Sequence, residues 1–245
     1  MKFIIVGKPI DYNRESIVYR LGNFILDNTE YFGAFCNILI RAKGRKLQAM
    51  VDTIIKTDLE KGKLNTKQLQ TFQTLLSEYF IKIDRDGENT RGKIVEFLIA
   101  NIGPISFESQ SKYVVKECWV EDENRNRVGG EKDFDVGFHC DCKSMEELRA
   151  ELIESKLDLN NFLSLKPFDP SNLTMSLKAV DKLKYIQIIK ETLSPSKHLV
   201  VALATVRYNV ELSRKIMEQY GYDKTIEIFD YNHLKQAMDK LNTAS

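Results

Sequence analysis

Alternating apolar and polar positions mark one stretch of the chain, between Gly129 and Ser144. Its apolar row consists of Phe134, Val136, Phe138, Cys140 and Cys142. Its ionisable row consists of Glu131, Asp133, Asp135, His139, Asp141 and Lys143. A period of two is the signature of a half-buried strand. The stretch therefore predicts a strand over residues 131–143 whose apolar row faces the core and whose other face is unusually acidic.

Helical periodicity dominates the first third of the chain. Apolar residues recur every three or four positions over residues 14–26, 46–56 and 66–83, which predicts three helices. The following segment, residues 84–89, is charged, contains a glycine and has no apolar side chain, as expected for a boundary. We therefore expect a mostly helical N-terminal unit over residues 1–88.

Strand and helix patterns alternate after residue 89. Strands are predicted over residues 113–120, 131–143, 197–205 and 226–229, and the continuous apolar run of the third is typical of burial on both faces. Helices are predicted over residues 90–102, 173–193, 209–220 and 231–241. A capping box at Ser144–Glu147 predicts one more helix, ending near Lys156. The order is that of an α/β domain over residues 89–245.

Charge is balanced, with 36 basic and 35 acidic residues, so a nucleic-acid surface would have to be local. Two basic patches are candidates for phosphate contacts: Lys43, Arg45 and Lys46, and Arg125 and Arg127. No apolar run approaches the ~20 residues that span a bilayer, and the N-terminal residues lack the features of a signal peptide. We expect a soluble cytoplasmic protein that does not bind membranes.

Four cysteines, at positions 36, 118, 140 and 142, do not form the pattern of a disulfide framework in a chain of this length. A zinc site is not expected either. His139 falls on the opposite face of the predicted strand from Cys140 and Cys142, and the chain has no CxxC pair. The cysteines are interpreted as small apolar core residues.

Carboxylates gather on one face if residues 113–123 and 131–143 form a hairpin with residue 123 opposite residue 131. The acidic residues on that face are Glu117, Glu121, Asp133 and Asp135. Like charges at these positions repel one another, so the cluster requires lysine or arginine partners or a bound cation. Oxygen-rich sites of this kind suit Mg²⁺ or Mn²⁺.

The pattern Asp135…Asp141-Cys142-Lys143 resembles the D…(D/E)xK signature of the PD-(D/E)XK nuclease superfamily. Residues 92–96 resemble the first core helix of that superfamily, and residues 197–205 and 226–229 resemble the back half of its fold. The resemblance covers roughly residues 90–241. It implies a restriction-endonuclease-like mixed central sheet flanked by helices, preceded here by the helical N-terminal unit.

The same resemblance implies a metal-dependent nuclease that hydrolyses phosphodiester bonds in DNA, or in RNA. Asp135 and Asp141 would bind Mg²⁺ or Mn²⁺, with Glu96 completing the metal shell or orienting water. Lys143 would polarise the attacking water or stabilise charge on the phosphate. The N-terminal unit would serve in recognition or in forming a homodimer.

Asp135 and Asp141 are six residues apart, which is about 20 Å along a straight strand. A reversal at Gly137 would bring them together. Otherwise Glu117 or Glu121 would have to supply the first metal ligand. The sequence thus leaves three functions open: a nuclease, a nuclease-like fold that has lost catalysis and binds nucleic acid or protein, and an unrelated α/β scaffold whose acidic row is paired by lysine and arginine.

Overall fold

The computed structural model of the chain describes residues 3–41, 65–86, 89–107, 113–140, 147–165, 173–196 and 198–243. Six strands form one sheet in the order β1 (Ile4–Pro9), β2 (Tyr113–Glu121), β3 (Phe134–His139), β4 (Arg149–Ser155), β5 (His198–Ala204) and β6 (Glu227–Phe229). The pairs from β1 to β4 are antiparallel, and β4–β5 and β5–β6 are parallel. The predicted α/β class, with a mixed sheet flanked by helices, is confirmed.

The described residues form helices over most of the predicted helical segments, and also over residues 32–41 and 159–163, where no helix was predicted. They are α1 (Ile17–Asp27), α2 (Phe32–Arg41), α3 (Thr66–Asp86), α4 (Asn89–Ile102), α5 (Leu159–Leu163), α6 (Leu177–Thr192), α7 (Glu211–Gln219) and α8 (Tyr231–Thr243). The helix predicted over residues 46–56 lies outside the described residues. In the part of the chain that the structure describes, no helix is long and apolar enough to cross a membrane.

The chain divides into two compact units. One consists of residues 11–98 and 235–245, and the other of residues 1–10 and 99–234. Helices α1 to α3 supply the core of the first unit, where Tyr31, Phe35 and Phe72 are fully buried. The sheet lies in the second unit, and β1 is its edge strand although it precedes the helices in sequence. The boundary predicted between residues 88 and 89 stays a prediction.

Helix α6 packs on the sheet in the second unit. Leu183, Ile186 and Ile189 of this helix share one buried apolar cluster with Leu152 of β4 and Phe134 of β3. Their spacing is that of one helix face, so the sequence of α6 dictates which side meets the sheet. This packing fixes the position of the polar residues that α6 carries near β4.

Strand β3 confirms the predicted faces of the alternating stretch. Phe134, Val136 and Phe138 are buried, whereas Asp135 and His139 are half-buried. The strand is shorter than predicted because it ends at His139. It continues straight through Gly137, which pairs with both neighbouring strands, so the reversal considered at that residue does not occur.

The predicted register between β2 and β3 is wrong by two residues, because Gly137 pairs with Val115 instead of Glu117. The chain turns at residues 122–127, where the Asp122 carboxylate accepts the backbone N–H groups of Asn124 and Asn126, each at 2.8 Å. Arg127 still bridges to Glu121, and the Val128 N–H donates to the carbonyl oxygen of Val120 at 2.9 Å. Residues 129–133 then leave the ladder before β3 begins. A shift of two by itself keeps side chains on their faces, but an irregularity at Glu117, whose φ is 46°, brings Cys118 to the same face as Val115 and Gly137.

The helix predicted from Ser144 to Lys156 is wrong, because residues 149–155 form strand β4. Residues 150–155 are all buried, between β3 on one side and β5 on the other. Glutamate, leucine and alanine favour a helix locally, but burial between two strands overrides that preference. Residues 144–146 of the predicted capping box lie outside the described residues.

Candidate functional site

The side chains of Asp135, Glu154 and Lys156 meet where β3 begins and β4 ends. The strands are antiparallel, and Val136 pairs with Ile153, so Asp135 lies beside the last residues of β4. The Asp135 Oδ2 atom accepts the backbone N–H of Ser155 at 2.7 Å. The ammonium of Lys156 lies 3.7 Å from the same oxygen. Asp135 therefore has a fixed orientation at the end of two neighbouring strands.

Glu154 supplies a second carboxylate to this cluster. Its side chain is buried, and Lys156 donates a hydrogen bond to its Oε1 atom. Lys182 of α6 approaches from the other side, with its Nζ atom 2.7 Å from Glu154 Oε2. The Lys182 ammonium donates instead to the carbonyl oxygen of Asp133. Glu154 Oε2 is consequently a buried oxygen with a cation beside it but no hydrogen bond of acceptable geometry.

Burial is the main influence on the ionisation of Glu154. It raises the pKa of this carboxyl above the ordinary value, and the charge of Asp135 raises it further. Lys156 and Lys182 oppose that effect because their positive charges favour the carboxylate. Two acids and two lysines thus form a compact cluster without large net charge, and the lysines stabilise its ionised form.

Oxygen atoms in the cluster match the ligands that Mg²⁺ and Mn²⁺ prefer. The candidates are carboxylate oxygens of Asp135 and Glu154 and the carbonyl oxygen of Ser155, which now accepts from Lys156 at 2.8 Å. Among the described residues, no three His, Cys, Asp or Glu side chains are grouped so that they could hold a metal ion. A divalent ion at this position would therefore be coordinated by two carboxylates. Carbonyl oxygens and water would be its remaining ligands, and Mg²⁺ commonly retains several waters. The buried, poorly bonded Oε2 of Glu154 fits that role.

The residues Glu154-Ser155-Lys156 match the (D/E)xK half of the signature, and sequence reasoning missed them. The tripeptide directly follows the apolar pair Leu152 and Ile153, a signal typical of the end of a buried strand. It was obscured because the segment was interpreted as a helix. Asp135 is a predicted site residue that lies in this cluster, and its role as a metal ligand stays a prediction, whereas Asp141 and Lys143 lie outside the described residues.

The other predicted carboxylates have partners of their own. Glu117 forms an ion pair with Lys8, and both side chains are largely exposed. Glu121 accepts a hydrogen bond from Trp119 Nε1 at 2.8 Å and lies 3.6 Å from Arg125. Glu117 and Glu121 thus each have a cationic or hydrogen-bonding partner on the acidic face.

Glu96 belongs to the other compact unit. It is half-buried on α4, and its charge contributes to the raised pKa of Tyr12, after burial of the phenol. Its predicted role in a metal shell stays a prediction.

Of the two predicted basic patches, only the one formed by Arg125 and Arg127 lies among the described residues. Arg127 lies 3.0 Å from Asp133 and 3.9 Å from the centre of the Trp119 ring, so it braces the connector between β2 and β3. Arg125 is more exposed and pairs with Glu121. The patch formed by Lys43, Arg45 and Lys46 lies outside the described residues. Nucleic-acid binding by either patch stays a prediction.

Three cysteines that the structure describes are free thiols. Cys36 and Cys118 are buried, and burial raises the pKa of both thiols. Cys140 is half-buried. The interpretation of Cys36 and Cys118 as apolar core residues agrees with this burial.

Comparison with known proteins gives one distant likeness in structure. No family model and no curated protein matches the chain. The crystal structure of protein VC1899 from Vibrio cholerae is similar, with 14% sequence identity and a TM-score of 0.40. The match covers 98% of this chain and 58% of that protein, so the chain spans less than two thirds of its length. A likeness at this level carries no argument about the site, which stands on its own geometry.

Proposed function

We propose that the chain is a metal-dependent nuclease whose active site consists of Asp135, Glu154 and Lys156. The observation that carries the proposal is the meeting of Asp135, at the start of β3, with Glu154-Ser155-Lys156, at the end of β4. This is the D…(D/E)xK arrangement with Glu154 and Lys156 in the roles first assigned to Asp141 and Lys143.

Support for a restriction-endonuclease-like fold comes from the order of the elements. Helix α4 precedes three antiparallel strands, β2 to β4, and helix α6 leads to β5, which is parallel to β4. The two acids stand on the second and third of these strands. The order agrees with the sequence resemblance, although the proposed second acid and lysine are Glu154 and Lys156 instead of Asp141 and Lys143.

Phosphodiester hydrolysis requires a positioned water, a cation near the phosphate and stabilisation of the charge that develops. A bound Mg²⁺ or Mn²⁺ would supply a Lewis acid and a water of lowered pKa. Asp135 and Glu154 provide the anionic oxygens, and the Ser155 N–H holds Asp135 in place. Lys156 provides a cation that can turn from the carboxylates toward a phosphate oxygen. Lys182 favours the ionised form of Glu154.

The alternative is a nuclease-like fold that has lost catalysis and binds nucleic acid or protein. It is favoured by one observation: Lys156 and Lys182 lie beside the two carboxylates and offset their charges. The two functions differ in whether a divalent ion binds at Asp135 and Glu154, and calorimetric titration with Mn²⁺ separates them. Binding that disappears in Asp135→Asn supports the nuclease.

The direct test is cleavage of labelled DNA and RNA, single-stranded and double-stranded, by the purified chain with Mn²⁺ or Mg²⁺. We expect cleavage that stops on chelation with EDTA and in the Asp135→Asn variant. Lys184 is a suitable control, since it is an exposed lysine on α6, and Lys184→Met should cut normally. Absence of cleavage of every substrate with either ion would exclude the nuclease.

A further inference from the structure

Lys156 places its ammonium among three oxygen atoms of the proposed active site. It donates one hydrogen bond to Glu154 Oε1 and another to the carbonyl oxygen of Ser155, the latter at 2.8 Å. The ammonium also lies 3.7 Å from Asp135 Oδ2. Carboxylate oxygens of Asp135 and Glu154 and the Ser155 carbonyl are the candidate ligands of a divalent ion. The same position therefore suits two cations, and the chain itself supplies one of them.

A divalent ion and this ammonium cannot share the three oxygens. Mg²⁺ lies about 2.1 Å from each of its oxygen ligands. An ion bound to Asp135, Glu154 and Ser155 would therefore occupy the space in which Lys156 Nζ now lies, 2.8 Å from the Ser155 carbonyl oxygen. Two positive charges so close together repel each other strongly beside the buried Glu154. Lys156 must consequently leave these oxygens before the ion can bind to all three.

The side chain of Lys156 can move while its backbone stays in place. Its backbone N–H donates to the carbonyl oxygen of Ala204 at 2.8 Å, which fixes the main chain to β5. The side chain is 27% exposed and ends a flexible four-carbon stem. Its Nζ atom lies 5.4 Å from the centre of the Phe162 ring on α5, and an aromatic ring attracts an ammonium. The ammonium thus already borders a favourable surface outside the carboxylates.

Lys182 contacts the same cluster in a different way. Its Nζ atom lies 2.7 Å from Glu154 Oε2 and donates a hydrogen bond to the carbonyl oxygen of Asp133. The side chain is 14% exposed, half as much as that of Lys156. Among the described residues, it forms no ion pair with Asp135 and no hydrogen bond with Ser155. Lys182 therefore contributes charge to the cluster without lying among the three candidate ligands.

From this geometry we infer that a divalent ion binds by displacing the Lys156 ammonium from Asp135, Glu154 and Ser155. Lys156 accordingly competes with the ion and lowers the metal affinity of the chain. The inference rests on the proposed nuclease function and adds how its active site is regulated. The displaced ammonium is the cation that becomes available to a phosphate oxygen. Loading of the metal and release of Lys156 for catalysis are thus one event.

The test is calorimetric titration of the purified chain with Mn²⁺, without nucleic acid. Lys156→Met and Lys156→Gln remove the ammonium, and both should bind Mn²⁺ about tenfold more tightly than the wild type. The reason is that the apparent affinity of a site falls with the fraction of molecules in which it is occupied by a competitor. Lys182→Met removes a charge beside Glu154 without freeing the three oxygens, so it should raise the affinity less. Lys184→Met, at an exposed position, should bind like the wild type.

Thermal unfolding gives a second measurement. Because a ligand that binds the native state stabilises it in proportion to its affinity, Mn²⁺ should raise the Tm of Lys156→Met more than that of the wild type. Asp135→Asn in the Lys156→Met background should remove the tight binding, which shows that the ion binds at the proposed active site. The Tm values in EDTA check that each variant is folded.

Mn²⁺ affinity in both Lys156 variants equal to or below that of the wild type would overturn the displacement. An equal increase in Lys182→Met, or no binding by any of these chains, would do so as well. Cleavage by the wild type separates this failure from failure of the proposed function. Cleavage with Mn²⁺ together with unchanged affinity in Lys156→Met keeps the nuclease and removes the displacement. Tighter binding by Lys156→Met in a protein whose wild type cuts nothing keeps the displacement and removes the nuclease.

Discussion

Asp135 accepts the backbone N–H of Ser155 at 2.7 Å, at the point where the ladder between their strands has ended with Val136 and Ile153. A side chain thus takes the place of a main-chain acceptor. The bond aims Asp135 at the residues on either side of Ser155, which are Glu154 and Lys156. Buried backbone polar groups require hydrogen-bond partners, and this bond satisfies the Ser155 N–H where the ladder has ended. It thereby fixes the position of Asp135 relative to Glu154 and Lys156.

Lys182 should set the pH dependence of cleavage through Glu154. Its charge lowers the pKa of that carboxyl against the raising effect of burial. Lys182→Met removes the charge, so the pKa of Glu154 rises further and a larger fraction is protonated at a given acidic pH. We expect the acid limb of the rate profile to move to higher pH. The rate is measured from pH 5 to pH 8, with the exposed Lys184→Met as the control, and an unmoved limb would show that Lys182 acts only in packing.

Stability should also report the ionisation of Glu154. Its pKa in the native state is raised above the ordinary 4.5, so the native state keeps a proton that the unfolded chain has released. The free energy of unfolding therefore falls as pH rises from 4.5 through the native pKa, and is level above it. Glu154→Gln should lose part of that slope. It should not lose all of it, because Glu151 also has a raised pKa.

Urea denaturation at a series of pH values measures this slope. Glu123→Gln is a matched control, since Glu123 is exposed and should leave the slope as in the wild type. If the slope in Glu154→Gln equals that of the wild type, burial does not raise the pKa of Glu154 in the native state.

The packing of α6 on the sheet should contribute strongly to stability. Leu183 is fully buried in the apolar cluster, whereas Leu177, on the same helix, is 84% exposed. Leu183→Ala should lower the free energy of unfolding by about 3 kcal/mol, because it removes buried methyl groups and leaves a cavity. Leu177→Ala should change it by no more than about 0.5 kcal/mol. Equal effects in urea denaturation would contradict the placement of α6.

Glu151 should be structural although it is as buried as Glu154. It accepts the backbone N–H groups of Ile105 and Ser106 at 2.8 and 2.7 Å. Glu151→Ala leaves both donors without an acceptor and should lower the free energy of unfolding by about 2 kcal/mol. Glu151→Gln keeps one acceptor oxygen and should lose less. Thermal unfolding of both variants gives the comparison, and an equal loss in the two would show that these hydrogen bonds contribute little.

Local patterns predicted the faces of β3 and the apolar row of β5, because a period of two and an unbroken apolar run each match one environment. They failed at β4. Glu151 and Glu154 are buried there, one against the N–H groups of Ile105 and Ser106 and the other against Lys156 and the distant Lys182. A buried acid is tolerated because of its partners, and partners that are distant in sequence leave no periodic signal.

The candidate site was predicted in part for the same reason. Asp135 lies on a strand with a clear pattern, which is why the sequence could place it on that strand. Its partners Glu154 and Lys156 lie at the end of a strand that has the composition of a helix. Lys182 comes from α6, which follows α5 in the sequence, so only the packing of that helix brings it to Glu154.

Cleavage by two active-site variants and two matched controls tests the central claim most directly. Glu154→Gln and Lys156→Met are compared with Glu123→Gln and Lys184→Met, the latter two at exposed positions. With labelled single-stranded DNA and RNA and Mn²⁺, we predict that the first two lose at least about a hundredfold in rate while the controls cut like the wild type. Cleavage by Glu154→Gln and Lys156→Met at the wild-type rate would contradict the assignment of the active site to Asp135, Glu154 and Lys156.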